Sequence, residues 1–401
     1  MNSLDFYQDT KPSITITDEG EIIVVWSAEK PNGGDDILYS RWTGSGWEPE
    51  ANIHPEDPYY EFTPVVSSGG GEVWASWERT QDTSIYSPSD IFIAHWNGSD
   101  WDPPLRVSGP DNWWDWFAWV DVDSEGNPHV VWCEAYQGVI YYRAYIDGIW
   151  TDRIQLNDPE IEIGWAPCIS VARFDNLHVV WAGTSPRNEI FYRFYSQETG
   201  QWGPLIPVSQ GDPYYDGYPK ISADSPWNAW VVWEGKNAEG KYHVYASYYD
   251  GIGFSLEYQL DDGKLQFNEG PEVALDNKGL PWAIWTMLDW DVIGGIMYSH
   301  YIMSTPLGMS RKACGINLEF SPSVFREKVF ISISNFREKP SQVYIIDSSG
   351  RLVKTLFTKK LVGIPILEWD GMNDRGERVA RGIYFFLIQR GAQRIVKKSF
   401  T

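Results

Sequence analysis

The chain has 401 residues and a formal net charge of −23, which is unevenly distributed along its length. Residues 1–303 contain 15 Lys and Arg against 47 Asp and Glu, a net charge of −32, whereas residues 304–401 contain 17 against 8, a net charge of +9. A domain with a charge of −32 repels nucleic acids and anionic membrane surfaces, so neither is an expected partner. No segment approaches the roughly 18 apolar residues that a membrane-spanning helix needs.

Six copies of one unit run through residues 12–303, and the sixth copy lacks its end. Each copy contains a Pro or Trp start, a short apolar strand, a turn, a second strand that ends in Trp, and a third strand, which reads Ile-x-Tyr in four copies; the complete copies add a fourth strand. The Trp that ends the second strand recurs at Trp26, Trp77, Trp132, Trp181, Trp233 and Trp285. Four short strands in each repeat of roughly 50 residues are typical of a β-propeller. The sequence therefore predicts an all-β chain with a six-bladed β-propeller over residues 1–303.

The starts of the first strands can be placed from the same pattern. Pro is accepted at the first residue of a strand because its missing N–H group is not needed there. Two closures of the ring agree with the pattern: residues near 305–312 complete the sixth unit, or a closing strand precedes Met1. We favour the first closure. The predicted first residues are Pro12, Pro64, Trp119, Pro167, Pro219 and Pro271.

The repeat motif at residues 123–132 (DSEGNPHVVW) and 147–150 (DGIW) resembles that of sialidase-like, BNR-type bacterial β-propellers. The resemblance covers residues 12–303 and implies the propeller fold rather than an activity, because propellers host many functions. Members with sialidase activity clamp the carboxylate of the substrate with three arginines. Arg41, Arg143 and Arg193 are predicted on third strands, away from the axis, so sialidase activity is not expected.

The C-terminal part carries a second resemblance, in residues 320–325 (FSPSVF), 343–356 (VYIIDSSGRLVKTL) and 367–391 (LEWDGMNDRGERVARGIYFFLIQRG). It resembles the FlgD-like immunoglobulin-type domain and, equally, the C-terminal sorting domain of the type IX secretion system. One departure is Ser321-Pro322, where family members usually show Asn-Pro.

This second resemblance implies an immunoglobulin-like β-sandwich at residues 316–401, joined to the propeller by a linker at residues 304–315. It also implies that the protein is secreted or held at the outer cell surface, with the secretion machinery as a partner. The signal peptide that export requires is absent from residues 1–11, so we expect the chain to be a mature or truncated form.

Aromatic and acidic residues recur in the loops that enter the first strands, and such loops share one face of a propeller. Rings stack on the C–H faces of sugars, and carboxylates accept hydrogen bonds from hydroxyls. We therefore predict that a neutral glycan or polysaccharide binds at this face; the alternative is that the rings only pack neighbouring blades together. An acid precedes the first strand by three positions at Glu61 and Asp216, and Asp115 is displaced by one. The candidate ligand-binding residues are Tyr59, Tyr60, Glu61, Trp113, Trp114, Asp115, Trp116, Trp165, Tyr214, Tyr215, Asp216 and Trp290.

A second set of acids follows the repeat Trp residues and includes Glu78, Glu134 and Glu234. Glycoside cleavage needs two carboxyl groups about 5–10 Å apart, so a glycoside hydrolase is an alternative prediction. A solvated acidic rim, on a structural or adhesive surface protein, is a further alternative. The candidate catalytic residues are Glu61, Asp115, Glu134, Asp216 and Glu234.

The histidines are expected to lie apart, in different units around the ring. His129 and His178 occupy one repeat position, and His95 and His300 occupy another. A metal needs several ligands at one place, so no metal site is predicted. No cofactor motif is present, although the acidic Asp-Gly turns are compatible with Ca²⁺. The protein is expected to be a monomer.

Overall fold

The computed structural model divides into two compact units, Met1–Met303 and Ser304–Thr401. Among the described residues, no helix has the length and apolar character to cross a membrane. The structure describes residues 8–30, 34–109, 111–158, 163–184, 188–209, 211, 213–251, 253–261, 267–276, 279–288, 297–302, 317–321, 329–334, 342–347, 351–356, 366–380, 383–390 and 393–400.

In its described residues, the first unit contains six antiparallel sheets that follow one another along the chain. Sheets 1 to 3 contain β1 (Asp9–Ile16), β2 (Ile22–Glu29), β3 (Asp35–Trp42) and β4 (Ala51–Asn52); β5 (Glu61–Gly69), β6 (Glu72–Thr80), β7 (Ser89–Trp96) and β8 (Leu105–Arg106); and β9 (Asp115–Val122), β10 (Pro128–Glu134), β11 (Val139–Ile146), β12 (Ile149–Trp150) and β13 (Ile154–Gln155).

Sheets 4 to 6 repeat this order, with strands paired mainly to their neighbours in the chain. They contain β14 (Gly164–Ala172), β15 (Asn176–Gly183), β16 (Glu189–Ser196), β17 (Gln201–Trp202) and β18 (Ile206–Pro207); β19 (Asp216–Ser225), β20 (Asn228–Lys236), β21 (Tyr242–Tyr249) and β22 (Tyr258–Gln259); and β23 (Phe267–Leu275), β24 (Pro281–Leu288) and β25 (Met297–Ile302). A single 3₁₀ turn, Arg173–Asp175, joins β14 to β15. The prediction of an almost entirely β-structured chain is confirmed.

The repeat Trp residues lie at the centre of the packing between sheets. Trp77, Trp132, Trp181 and Trp233 are fully buried, and Trp26 and Trp285 nearly so. Trp233, for example, belongs to one buried apolar cluster with Val231 of its own sheet and Val180 of the preceding sheet. Burying such large rings contributes several kcal/mol of transfer free energy each, roughly 25 cal/mol per Å². The period of about 50 residues therefore reflects one large core residue in each sheet.

A β-bulge interrupts the start of every first strand in the six sheets, where two residues face one on the second strand. The first bulged residue has a positive φ, between +47° and +58°, although five of the six are not glycine. Such a conformation costs a non-glycine residue about 1–3 kcal/mol, so the surrounding structure must enforce it. The bulged residues are Lys11, Thr63, Phe117, Ala166, Tyr218 and Gly270.

The bulges correct the predicted alignment of the third unit. The second of the two bulged residues is Pro in five sheets and Ala118 in sheet 3. The position predicted to start the third unit is therefore Ala118, one residue before Trp119. Asp115 lies two positions before the bulge, as do Glu61 and Asp216. The prediction that Asp115 is displaced by one residue is therefore wrong, because the position was counted from Trp119 and not from Ala118.

Side chains of neighbouring first strands satisfy backbone groups that would otherwise face an unpaired strand edge. The N–H of Val171 donates to Asp121 Oδ2 at 2.7 Å, and the N–H of Ala223 donates to Ser170 Oγ at 3.0 Å. The N–H of Leu275 donates in the same way to Ser222 Oγ at 3.2 Å. These bonds hold the first strands side by side, so that the starts of these strands gather at one end of the unit.

The second unit has seven described strands in two antiparallel sheets. Trp369 is fully buried, and its ring lies 5.1 Å from that of Tyr384 on the other sheet. One sheet contains β26 (Asn317–Ser321), β27 (Val329–Ser334) and β30 (Ile366–Trp369); the other contains β28 (Gln342–Asp347), β29 (Leu352–Leu356), β31 (Ile383–Arg390) and β32 (Gln393–Phe400).

Candidate functional site

First strands begin and second strands end at the same end of the first unit, because the two are antiparallel. We call this end the top face; it contains the starts of β1, β5, β9, β14, β19 and β23 and the ends of β2, β6, β10, β15, β20 and β24. Almost all of the candidate residues from the sequence lie here.

The acids that precede the bulges are mostly buried acceptors for the repeat Trp residues. Trp77 Nε1 donates to Glu61 Oε1 at 2.9 Å, and Trp233 Nε1 donates to Asp216 Oδ1 at 3.0 Å. Glu61 is fully buried, and Asp216 is 8% exposed. A buried indole N–H needs a partner, so these two candidates have a structural task and do not line an open surface.

Asp115 holds the same position in sheet 3 but lacks this bond. Burial raises the pKa of Asp115 to about 8, and the negative charges of Asp111, Asp90 and Glu134 add to the shift. The Ser108 hydroxyl offsets part of it, but neither carboxyl oxygen forms a hydrogen bond of ordinary geometry within the described part of the chain. Asp115 is therefore mostly protonated at neutral pH and, being fully buried, is screened from ligands.

Glu134 is also buried, and burial together with Asp111 raises its pKa. Its Oε2 lies 4.0 Å from Arg153 Nη1 at the edge of the top face. Glu134 lies directly opposite Asp115 on the neighbouring strand.

Glu78 and Glu234 each follow a repeat Trp, and each bonds to the bulge of the next sheet. The N–H of Phe117 donates to Glu78 Oε1 at 2.8 Å, and the N–H of Gly270 donates to Glu234 Oε2 at 3.3 Å. The Thr63 hydroxyl also donates to Glu78. These carboxyl groups hold the bulges in place, so they link sheet 2 to sheet 3 and sheet 5 to sheet 6.

The two carboxyl groups share an electrostatic environment. Burial raises the pKa of each to about 7, and the ammonium group of Lys11 partly offsets the shift in both. Lys11 is the exposed bulge residue of β1, whereas the two acids belong to sheets 2 and 5. Glu78 and Glu234 therefore lie within the electrostatic reach of one cation, and each is about half protonated near neutral pH.

A continuous series of aromatic rings crosses the top face from sheet 3 to sheet 6. Successive ring centroids lie 4.9–6.4 Å apart. Two of the rings are well exposed, Tyr136 at 72% and Tyr218 at 41%. We call this series the aromatic belt; it contains Tyr136, Trp114, Trp116, Phe117, Tyr218, Trp165, Tyr215, Tyr242 and Phe267.

The belt approaches Glu234 through Tyr215. Burial raises the pKa of the Tyr215 phenol, so the hydroxyl stays protonated and donates to Glu234 Oε1 at 3.5 Å. Lys236 Nζ lies 4.5 Å from the Tyr242 ring centroid on the same side. Of the five candidate catalytic acids, Glu234 thus bonds to the side chain of a belt residue. Glu78, which the sequence marked only by its position after a repeat Trp, accepts from the backbone N–H of the belt residue Phe117.

The remaining candidate ligand-binding residues are dispersed. Trp113 is 42% exposed, and Tyr214 is half-buried. Tyr60 stacks on Phe62, with ring centroids 6.2 Å apart, and Tyr59 lies against the Arg79 guanidinium. Trp290 lies outside the described residues.

One group on the top face has the composition of a metal site, namely His54, Asp57 and Glu61. Both ring nitrogens of His54 already have partners, Glu61 at 2.8 Å and the Pro55 carbonyl at 2.8 Å. Burial alone would lower the pKa of His54, but the Glu61 carboxylate raises it above its usual value. Arg79 Nη2 pairs with Asp57 at 2.5 Å. Both His54 nitrogens and the Asp57 carboxylate are thus already engaged, so a metal would have to displace these hydrogen bonds.

No protein-family model matches the sequence, and no curated protein matches it. Among solved structures, the chain is similar to a leech intramolecular trans-sialidase in complex with 2,7-anhydro-Neu5Ac, with a TM-score of 0.50, 10% identity, and coverage of 76% of this chain and 70% of that one. An α-L-arabinanase of Penicillium chrysogenum with arabinobiose gives a TM-score of 0.48 at 11% identity, over 74% and 95% of the chains.

A third similar structure is PorZ, a surface component of the type IX secretion system of Porphyromonas gingivalis. It has a TM-score of 0.35 at 13% identity, over 96% of this chain and 58% of that one. At such identities, structural likeness concerns the fold alone. The predicted β-propeller fold is confirmed by the likeness to the leech protein together with the succession of antiparallel sheets.

Replacement of Glu78 by Gln tests the buried carboxyl group. The folded state holds the Glu78 proton up to a pH of about 7, whereas the unfolded chain releases it near 4.5, so this group lowers the free energy of unfolding as the pH rises between these values. Gln keeps the acceptor oxygen and carries no charge. Between pH 5 and pH 8, we expect the free energy of unfolding of Glu78→Gln to rise by up to about 3 kcal/mol relative to that of the native chain.

Chemical denaturation across this pH range measures the difference. The exposed Glu19→Gln variant serves as the control and should show no such trend. If the free energies of unfolding of the native chain and of Glu78→Gln differ by the same amount from pH 5 to pH 8, the folded state does not hold the Glu78 proton.

Proposed function

We propose that the first unit is a six-bladed β-propeller that binds a neutral carbohydrate at its top face. The observation that carries this proposal is the aromatic belt beside the Glu234 carboxyl group. Rings of this kind stack on the C–H faces of pyranoses, while carboxyl groups and phenol hydroxyls bond to sugar hydroxyls. Neutral ligands also suit a domain with a net charge of −32.

The belt extends over nine rings, which suits an oligosaccharide or a polysaccharide chain as the ligand. Its two well-exposed rings are Tyr136, in the loop after β10 of sheet 3, and Tyr218, in β19 of sheet 5. A chain of several sugar units can contact both, because the belt is continuous between them.

Ring-removing variants test the belt. Tyr218→Ala and Trp114→Ala should each weaken binding of a neutral oligosaccharide by roughly three- to tenfold, the factor that corresponds to one lost aromatic contact. The oligosaccharide is first identified on a glycan array and then measured by calorimetry. Phe174→Ala is the matched control, since this ring is 47% exposed but lies in the turn at the opposite end of sheet 4.

Absence of any neutral glycan that binds on the array would contradict the proposal. So would a glycan whose affinity is the same for the native chain, Tyr218→Ala and Trp114→Ala. All variants are compared by thermal melting, so that loss of binding is not confused with loss of folding.

A second candidate function is the cleavage of the bound glycan by Glu78 and Glu234. A specific observation favours it, namely the pKa of about 7 that both carboxyl groups share near Lys11. A general acid must hold its proton near the working pH while a second carboxylate acts as base or nucleophile. Glu61 and Asp216 are less suited to this role because each is engaged with a buried indole.

Hydrolysis is measured as reducing sugar released from neutral plant and bacterial polysaccharides. We expect Glu234→Gln and Glu78→Gln each to lower the rate by about 10²–10⁴, the usual contribution of a general acid or base. Asp115→Asn is a control, since this fully buried acid cannot touch a ligand. Binding without release of sugar would leave the protein as a binding module or an adhesive surface protein.

For the second unit, we propose an immunoglobulin-like sandwich that serves in export or attachment at the cell surface. The contact between Trp369 and Tyr384 joins its two sheets, and the Tyr384 hydroxyl donates to the Ala380 carbonyl at 2.7 Å. A tyrosine bonded to the backbone a few residues upstream is a recurring feature of immunoglobulin-like sandwiches. Secretion machinery is the proposed partner, and residues 304–315 are the proposed linker.

Deletion of residues 316–401 separates the two roles. The truncated chain should keep its melting transition and its affinity for the glycan, because the proposed site lies wholly in the first unit. Secretion in a native host should fail. An unfolded truncated chain would contradict the proposed boundary, and normal secretion would contradict the export role.

A further inference from the structure

A cavity of about 460 Å³ lies at the top-face end of sheet 2, over the end of β6 and the start of β7 and next to the loop that precedes β9. Its volume falls within the range of small-molecule sites, roughly 300–1,000 Å³. Two arginines, Arg79 and Arg106, line it together with the rings of Tyr59 and Phe92. None of these residues belongs to the aromatic belt. We call this cavity the side pocket.

The side pocket holds more hydrogen-bond donors than its own acceptors use. Each guanidinium has five N–H groups. Arg106 uses Nη2, which donates to Asp90 and to the Gly109 carbonyl at 2.8 Å, whereas its Nε is buried without a partner. Arg79 Nη2 donates to Asp57 at 2.5 Å. In the described residues, no partner is present for Nη1 of either arginine.

The acids of the pocket wall are already engaged. Asp90 accepts from Arg106 and, at 3.2 Å, from Gln81 Nε2. Asp111 accepts from the N–H of Trp113 at 3.0 Å and lies 3.8 Å from Arg153. A ligand that enters the pocket therefore meets unpaired N–H donors while both carboxylates already have partners. Acceptor-rich ligands are favoured by this imbalance.

Arg79 is held in place by the two rings. Its guanidinium carbon lies 4.3 Å from the Tyr59 centroid and 5.3 Å from the Phe92 centroid. Contact with aromatic faces fixes the plane of a guanidinium and leaves its edge available for hydrogen bonds. Such an edge matches the two oxygens of a carboxylate or of a sulfate.

We propose that the side pocket binds the oxyanion group of an acidic sugar, either the carboxylate of a uronic acid or the sulfate of a sulfated sugar. Gln81 Oε1 and the Asn112 side chain have no partner in the described part of the chain and can bond to the hydroxyls of the ring. The net charge of the domain does not prevent this, because charges beyond about 8 Å are largely screened at physiological salt. The side pocket shares no residue with the aromatic belt of the neutral-glycan site proposed above.

Calorimetry on the full chain with D-glucuronate, glucose 6-sulfate and glucose tests the proposal. We expect at least one of the two acidic sugars to bind about tenfold or more tightly than glucose, the factor given by charge-assisted hydrogen bonds. Binding of glucuronate alone assigns the pocket to carboxylates, binding of the sulfate ester alone assigns it to sulfates, and binding of both assigns it to oxyanions in general; each of these supports the proposal.

Two variants locate the binding. Arg106→Gln removes the unpaired donors of Arg106 and should weaken binding of the acidic sugar by about tenfold or more. Asn112→Trp keeps both arginines but fills the pocket, so it should abolish binding even where Arg106→Gln lowers the stability. Arg173→Gln, at an exposed position on sheet 4, should change nothing.

The proposal is overturned if neither acidic sugar binds better than glucose, or if both pocket variants bind an acidic sugar as the native chain does. Tyr218→Ala should leave this binding unchanged. Failure of the side pocket can thus be told apart from failure of the neutral-glycan site, which responds to Tyr218→Ala and not to Arg106→Gln.

Discussion

The bulge at the start of each first strand is the constraint on which the top face depends. It turns a residue into the left-handed region in every sheet of the first unit, and five of these residues are not glycine. A strained backbone of this kind persists only where neighbours hold it. Glu78 and Glu234 do so by accepting the bulge N–H groups of Phe117 and Gly270. The same groups that form the candidate site therefore also join neighbouring sheets.

The acids of the top face differ in function because they differ in partner. Glu61 and Asp216 are fixed by buried indoles, which leaves them little freedom to meet a ligand. Glu78 and Glu234 are fixed by backbone donors, which hold one side of each carboxyl group. Charge and composition alone do not distinguish these two sets. What distinguishes them is that a core indole N–H donates to Glu61 and Asp216, whereas a backbone N–H of the next sheet donates to Glu78 and Glu234.

The repeat Trp residues made the fold predictable, since a large buried ring at a fixed period indicates one sheet in each repeat. The site was harder to predict from the sequence, because the bulge shifts the register by one residue and no Pro marks the bulge in sheet 3. Counting from Trp119 therefore misplaced Asp115. The pairing of Arg106 with Asp90 joins residues 16 positions apart, and nothing in the repeat indicates it. Such contacts depend on side-chain directions that a periodic pattern does not contain.

Protonation gives the top face a property that suits neutral ligands. Asp115 has a pKa of about 8, and Glu78 and Glu234 have pKa values of about 7, so the folded unit carries a smaller negative charge at neutral pH than the formal −32. A half-protonated carboxyl group can donate or accept a hydrogen bond, and a sugar hydroxyl can do either as well. Contacts between the two therefore survive a change of protonation. The binding of a charged ligand does not survive in this way, because its electrostatic attraction to a carboxyl group changes when that group gains a proton. The aromatic belt therefore suits neutral sugars, and the arginines of the side pocket suit acidic ones.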